Sequence, residues 1–172
     1  IGSKKTKMKE IEQLIEISHF YGRDSRYVIA GGGNTSYKNA DRIWVKASGA
    51  SLATITEDGF ALLDRTKLRP MSEKKYSDDV SLREEEVKND LAAATLTRDK
   101  RPSVETSMHN IIEYAFVVHL HPTLVNALMC SQQAESMLKK LFGEKALFVE
   151  YTDPGYVLFK KVEEKIKAFR AT

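Results

Sequence analysis

His119 and His121 stand one residue apart at the end of the apolar run Ala115-Phe-Val-Val-His-Leu-His-Pro122, fourteen residues after Glu105. A strand sends residues i and i+2 to the same face, so both imidazoles are expected to point into one pocket. Neutral imidazole is a good ligand for zinc and other borderline divalent ions, which makes the pair half of a metal site. Glu105, in Arg101-Pro-Ser-Val-Glu-Thr-Ser107, falls in the first turn of a predicted helix, where the helix dipole favours the carboxylate form. Beside a metal, such a carboxylate can serve as general base. His109 reads as a supporting or packing residue, and His19 carries no comparable pattern.

A second group of residues is suited to an anion. Gly31-Gly-Gly-Asn-Thr-Ser36 can expose consecutive backbone N–H groups, and Ser48-Gly49 with Ser103 at a helix N-terminus offers further donors for a phosphate. The glycine run matches neither the P-loop nor the dinucleotide fingerprint, and alone it is commonly just a flexible turn. Lys46 either adds charge there or faces solvent.

The elements that must position these groups follow from periodicity. Met8, Ile11, Leu14, Ile15 and Ser18 recur at helical spacing, so a helix is expected over 8–21, closed by Gly22. Tyr27–Ala30 is a short β-prone run, and the glycines then interrupt regular structure before Ser36-Tyr37. A turn at Asn39–Asp41 leads into a strand over Arg42–Ala47, and Glu57-Asp-Gly59 turns the chain into a strand at Phe60–Leu63. The polar stretch Met71–Ser81 reads as a surface loop, and Leu82–Leu96 as a helix with an acidic start. A helix from Ser103 to about Tyr114 is expected to run straight into a strand at 115–121. Residues 123–141 read as mainly helical and Ala146–Tyr151 as a strand, and Thr152-Asp-Pro-Gly155 caps a last helix to about Phe169. Without a regular βαβ period, the fold expected is mixed α/β, a three-layer α/β/α arrangement around a central mixed, largely antiparallel sheet.

Bulk composition narrows the classes. At 172 residues and 42% hydrophobic, the chain supports one domain with a sizeable core. The net charge of +3 comes from interleaved signs apart from Lys4-Lys5-Thr-Lys7 and Lys74-Lys75, too mild a balance to argue for nucleic acid. Cys130 is the one cysteine, so an intrachain disulfide is excluded; after Leu128-Met129 it reads as a buried inert thiol. No apolar run reaches membrane-spanning length, and a reducing, cytoplasmic setting is expected.

Taken in order, Gly32-Gly-Asn34-Thr-Ser36, Ser48-Gly49, Pro102-Ser-Val-Glu105 with His109, and Val117-Val-His-Leu-His121 resemble the class II aldolase/adducin family, typified by fuculose- and rhamnulose-phosphate aldolases. The resemblance runs from about residue 10 to the end. It implies that Gly33, Asn34, Ser48, Gly49 and Ser103 bind a substrate phosphate, that His119 and His121 ligate Zn2+ or another divalent metal, and that Glu105 is the catalytic acid/base. The implied activity is cleavage of a deoxyketose 1-phosphate to dihydroxyacetone phosphate and lactaldehyde by an aldehyde-lyase. The same scaffold also serves sugar-phosphate 4-epimerases and dehydratases, and non-catalytic adducin-like interaction modules. Members commonly form homo-oligomers, tetramers among them.

Two positions depart from the family pattern. Val104 stands where the family carries a serine donor, and no histidine follows His121, although the family takes a third ligand from a later His-Gly strand. Residues 1–172 are therefore expected to be the N-terminal part of a longer chain, weak or inactive alone. The 71–101 stretch and Val149–Gly155 look like the aldolase domain of large proteins fused to a dehydrogenase.

Overall fold

The computed structural model describes residues 2–170, with side-chain placement from residue 9 onward, so Lys4, Lys5 and Lys7 lie outside the described side chains. Helix α1 (Gly2–Gly22) buries Ile11, Leu14 and Ser18 along one face. It stops at Gly22, where a Cβ would collide with the backbone of Leu52 and Ala53. Strands β1 (Asn34–Lys38), β2 (Arg42–Lys46), β3 (Phe60–Asp64) and β4 (Phe116–His119) form one sheet in the order β3-β2-β1-β4. Every ladder among them is antiparallel, so the expected mixed sheet is wholly antiparallel across the described residues.

Strand alternation divides the sheet's side chains between two cores. Tyr37, Trp44 and Phe60 meet Ile11 and Leu14 of α1 on one face. On the other, Ile43, Val45, Ala61 and Leu63 meet Leu68 of α2 (Arg65–Leu68) and Val87, Leu91 and Ala94 of α3 (Val80–Ala94). The result is the expected three-layer α/β/α architecture. Ser18 locks α1 to β1, donating to Leu14 O at 2.6 Å and sharing a 2.7 Å bond with Thr35 Oγ1. Helices α4 (Thr106–Ile111), α5 (Thr123–Met129), α6 (Ala134–Phe142) and α7 (Tyr156–Arg170) complete the chain. No helix among the described residues is long and apolar enough to cross a membrane.

Several expected elements are displaced, each for a local reason. Tyr27–Ala30 is a turn, because the Asp24 carbonyl accepts both Tyr27 N and Val28 N, and Ala30 adopts φ +53°. Regular structure resumes earlier than expected, at Asn34. Met71 and Tyr76 of the supposed surface loop are buried, Tyr76 donating to Asp90 at 2.6 Å. The helix expected over Ser103–Tyr114 shrinks to α4, since an isolated bridge between Ala47 and Pro102 holds the preceding segment extended. Ser103 therefore caps no helix, and Glu105 takes the N-cap position itself without a capping bond. Ala146–Tyr151 joins no ladder; Glu150 instead pairs with Lys161 and Lys165 of α7 at 3.0 and 3.3 Å. Cys130 is exposed, because it follows α5, which buries none of its residues.

Leu14 is 1% exposed and anchors α1 to the sheet. Leu14→Ala is expected to cost about 2–5 kcal/mol, read as a lowered urea midpoint with an unchanged slope.

Candidate active site

The site grows from a polar stripe on β1. Asn34, Ser36 and Lys38 share one face of the strand, and all three are buried. Antiparallel register sets His119 of β4 directly opposite Asn34, so its ring joins the same face. Helix α4 and the residue before it lie over this face. The Asn34 amide donates to Glu105 Oε2 at 3.2 Å, and the Ser36 hydroxyl meets His109 Nδ1 at 2.8 Å. The Lys38 ammonium donates to the His109 carbonyl at 2.8 Å, while the Arg65 guanidinium donates to Asn110 Oδ1 at 2.7 Å. The Asn34 amide N–H, Ser36 and Lys38 thus each find a partner on α4 or on the residue before it.

These contacts leave a set of unfilled donors and acceptors. His119 Nδ1 lies 3.1 Å from Glu105 Oε2 but off the line that a hydrogen bond needs. Buried Asn34 Oδ1 and His109 Nε2 likewise have no partner. One ligand atom from each of Glu105, His109 and His119 falls within 4.8 Å of the others, a spacing that a metal ion could span with small adjustments. His121 stands outside this group, yet its ring lies 4.8 Å from that of His119, centroid to centroid, at 34°. It follows the end of β4, its N–H bonded to Tyr27 O at 3.3 Å.

Burial and neighbouring charges set the protonation states. Burial works to raise the Glu105 pKa, but the His119 contact and charge, the Asn34 amide and His109 together bring it down to about 2. Its low value therefore comes from side chains across the cleft, rather than from the first-turn helix position expected for it. Burial pushes His109 down to about 3, so that its ring is neutral. Burial also lowers Lys38, to about 8, with Arg65 adding repulsion. His19 is structural, its Nε2 lying 2.8 Å from Ile55 O.

The residues expected at a phosphate occupy adjoining but separate surfaces. Gly33, at φ +73°, lines a cavity of about 400 Å³ with His121, while Asn34 is buried. Ser48 and Ser103 line a larger cavity of about 840 Å³. Gly49, at φ +89°, sits on the exposed loop after β2. Ser48 Oγ accepts from Arg101 at 2.9 Å, and Ser103 Oγ accepts from Glu105 N at 3.3 Å. Lys46 is buried rather than facing solvent, its ammonium 3.4 Å from Gly31 O, which ties the glycine loop to the end of β2. Sequence reasoning undervalued His109 and passed over Ser36 and Lys38. The available signals were the i,i+4 spacing of Glu105 and His109 and the polar alternation of Asn34, Ser36 and Lys38.

Residues 12–172 match the profile of the Class II Aldolase and Adducin N-terminal domain. The chain belongs to the class II aldolase and adducin family. It is similar to a Bacillus subtilis (strain 168) protein named uncharacterized oxidoreductase YuxG, at 29% identity over 168 residues. That match covers 92% of this chain but 24% of the relative, so the chain spans about a quarter of the relative's length. Its fold is also similar to the N-terminal class II aldolase domain of a conserved protein from Thermoplasma acidophilum. The TM-score is 0.77 at 27% identity, covering 90% of this chain and 74% of that one. The likeness to this class II aldolase domain fits the antiparallel sheet and helical layers described above.

Lys38 provides a test of the buried stripe. Its pKa near 8 in the fold, against an ordinary 10.5, means that between these values the unfolded chain binds more protons, so stability rises with pH across that window. Relative to Lys38→Met, the wild-type chain is expected to gain on the order of 2 kcal/mol from pH 8 to 10.5 in paired denaturant titrations. Parallel curves for the two proteins would show that the ammonium is not buried as described.

Proposed function

We propose that the chain is the aldolase domain of a longer protein, a metal-dependent class II aldolase that cleaves a deoxyketose 1-phosphate of the rhamnulose or fuculose type. The observation that carries this reading is the Glu105 carboxylate held 3.1 Å from His119, with the His121 ring alongside. His119 and His121 would hold the divalent ion, Zn2+ by preference; the buried, unpartnered His119 Nδ1 and the paired rings fit such a use. The ion, when bound, supplies Lewis-acid polarisation of the substrate carbonyl.

The chain's own residues do the rest. Glu105, held deprotonated, takes the proton of the hydroxyl beside the breaking carbon–carbon bond. The bond's electrons stay on the carbon next to the carbonyl, the aldehyde departs, and Glu105 returns the proton to that carbon. Asn34 orients the carboxylate through its amide. Gly33 and Asn34 on one surface and Ser48, Gly49 and Ser103 on the adjoining one would receive the phosphate between them, and the buried Lys46 ammonium beside Gly31 adds positive charge to that side. The products would be dihydroxyacetone phosphate and lactaldehyde. The oxidoreductase name of the longer relative supports a fused dehydrogenase that would act on such an aldehyde; the whole would be a cytoplasmic homo-oligomer.

The deciding experiment gives the full-length protein rhamnulose 1-phosphate and follows dihydroxyacetone phosphate. Release is expected with zinc present; an intact carbon skeleton with an inverted carbinol would mark an epimerase instead. Glu105→Gln is expected to lower kcat by about 10²–10⁴-fold with metal content unchanged. His121→Ala is expected to lose bound metal, measured by elemental analysis, and an adducin-like interaction module would hold no stoichiometric metal in either form.

A further inference from the structure

The cavity of about 840 Å³ has Ser48 and Ser103 at its mouth and α3 with the 95–104 segment as its walls. It is at the upper end of the range for small-ligand pockets, about 300–1,000 Å³, far more than a phosphate needs. Its wall carries Lys88, Arg98, Lys100 and Arg101 against only Glu84 and Asp99. Among the described residues Lys88 and Arg98 have no carboxylate partner, and Lys100 reaches only the fully exposed Asp58, at 3.6 Å. Between these cations lie apolar side chains that the fold leaves uncovered, Leu96 at 44% and Val104 at 66% exposure. Asp99, at φ +63°, bends the segment around the space. A wall of cations, Lys88 and Arg98 among them without a carboxylate partner, alternating with bare apolar groups matches a ligand that has more than one anionic group and an apolar-faced body.

We propose that the chain binds an organic pyrophosphate of the nucleoside diphosphate class, one phosphate at the Ser48–Ser103 mouth and the ring system inside this cavity. The inference rests on the reading of Ser48 and Ser103 as phosphate donors and extends it. Val104 then has a use. At the position where a serine would give one more hydrogen bond to phosphate, it offers an apolar wall to the body behind it. Arg98 and Lys88 meet the second phosphate, and Arg101, which donates to Ser48, fixes the mouth.

Calorimetric titration of the chain in EDTA, with ADP and with inorganic phosphate as probes, separates the cavity from any metal. ADP is expected to bind about tenfold tighter than phosphate or better. Ala92→Trp, which projects an indole into the cavity from an exposed position on α3, should remove that advantage and leave phosphate affinity unchanged. Arg98→Ala, on the exposed segment, should weaken ADP about fivefold without altering the melting temperature. Equal affinity for ADP and phosphate in the wild-type chain would overturn the proposal, as would a full ADP advantage kept by both variants. Should Ser48→Ala leave both ligands unaffected while Ala92→Trp still abolishes the ADP advantage, the phosphate reading of Ser48 fails and the cavity stands.

Discussion

Polar side chains on one face of a buried strand need partners, and β1 finds them for the Asn34 N–H, Ser36 and Lys38 on a single short helix and the residue before it. Asn34, Ser36 and Lys38 project toward α4 and the residue before it, where Glu105, His109 and the last carbonyls of the helix receive them. Leaving such groups unpaired would cost about 1–3 kcal/mol each, so the helix is confined to one position over the strand. That confinement brings Glu105 to the His119 ring. The juxtaposition of Glu105 and His119 is thus a by-product of satisfying a buried strand, and α4 can remain six residues long because side chains rather than length hold it.

Electrostatics follow from the same enclosure. Dehydration makes His109 a neutral ring, while Glu105, also enclosed, stays ionised because the His119 ring and the Asn34 amide converge on it. Both groups, four residues apart, are shifted downward, which leaves His109 a neutral base and Glu105 a charged acid in a half-buried space.

The layered α/β architecture was legible because the short continuous apolar runs of β2 and β3, bounded by turn residues, and the helical repeat of α1 are local signals. The grouping of Glu105 with His119 was expected only through the family resemblance, because a helix running straight into a strand gives no local reason for the two to meet. The stripe on β1 was not legible. Polar alternation in a strand ordinarily marks a solvated face, and only the tertiary cover supplied by α4 reverses that meaning. Ala146–Tyr151 failed for a related reason. An apolar run becomes a strand only where a neighbour offers a ladder, and Glu150 commits this segment to the lysines of α7 instead. The length of the helix after Pro102 was misjudged because the bridge to Ala47 is a contact across 55 positions, invisible to any local window.

His119 and His121 are neighbours in space but not equals in stiffness. His119 belongs to a ladder and inherits the rigidity of the sheet, whereas His121 lies past the ladder's end and its backbone is tethered by one bond of 3.3 Å to Tyr27. Tyr27 itself sits in the turn organised by Asp24, so the tether runs to a loop rather than to the core. The pair therefore consists of a fixed jaw and a compliant one. A species held between them would take its position from the sheet and its fit from the loop, with the span between the two rings adjustable without disturbing the layers beneath.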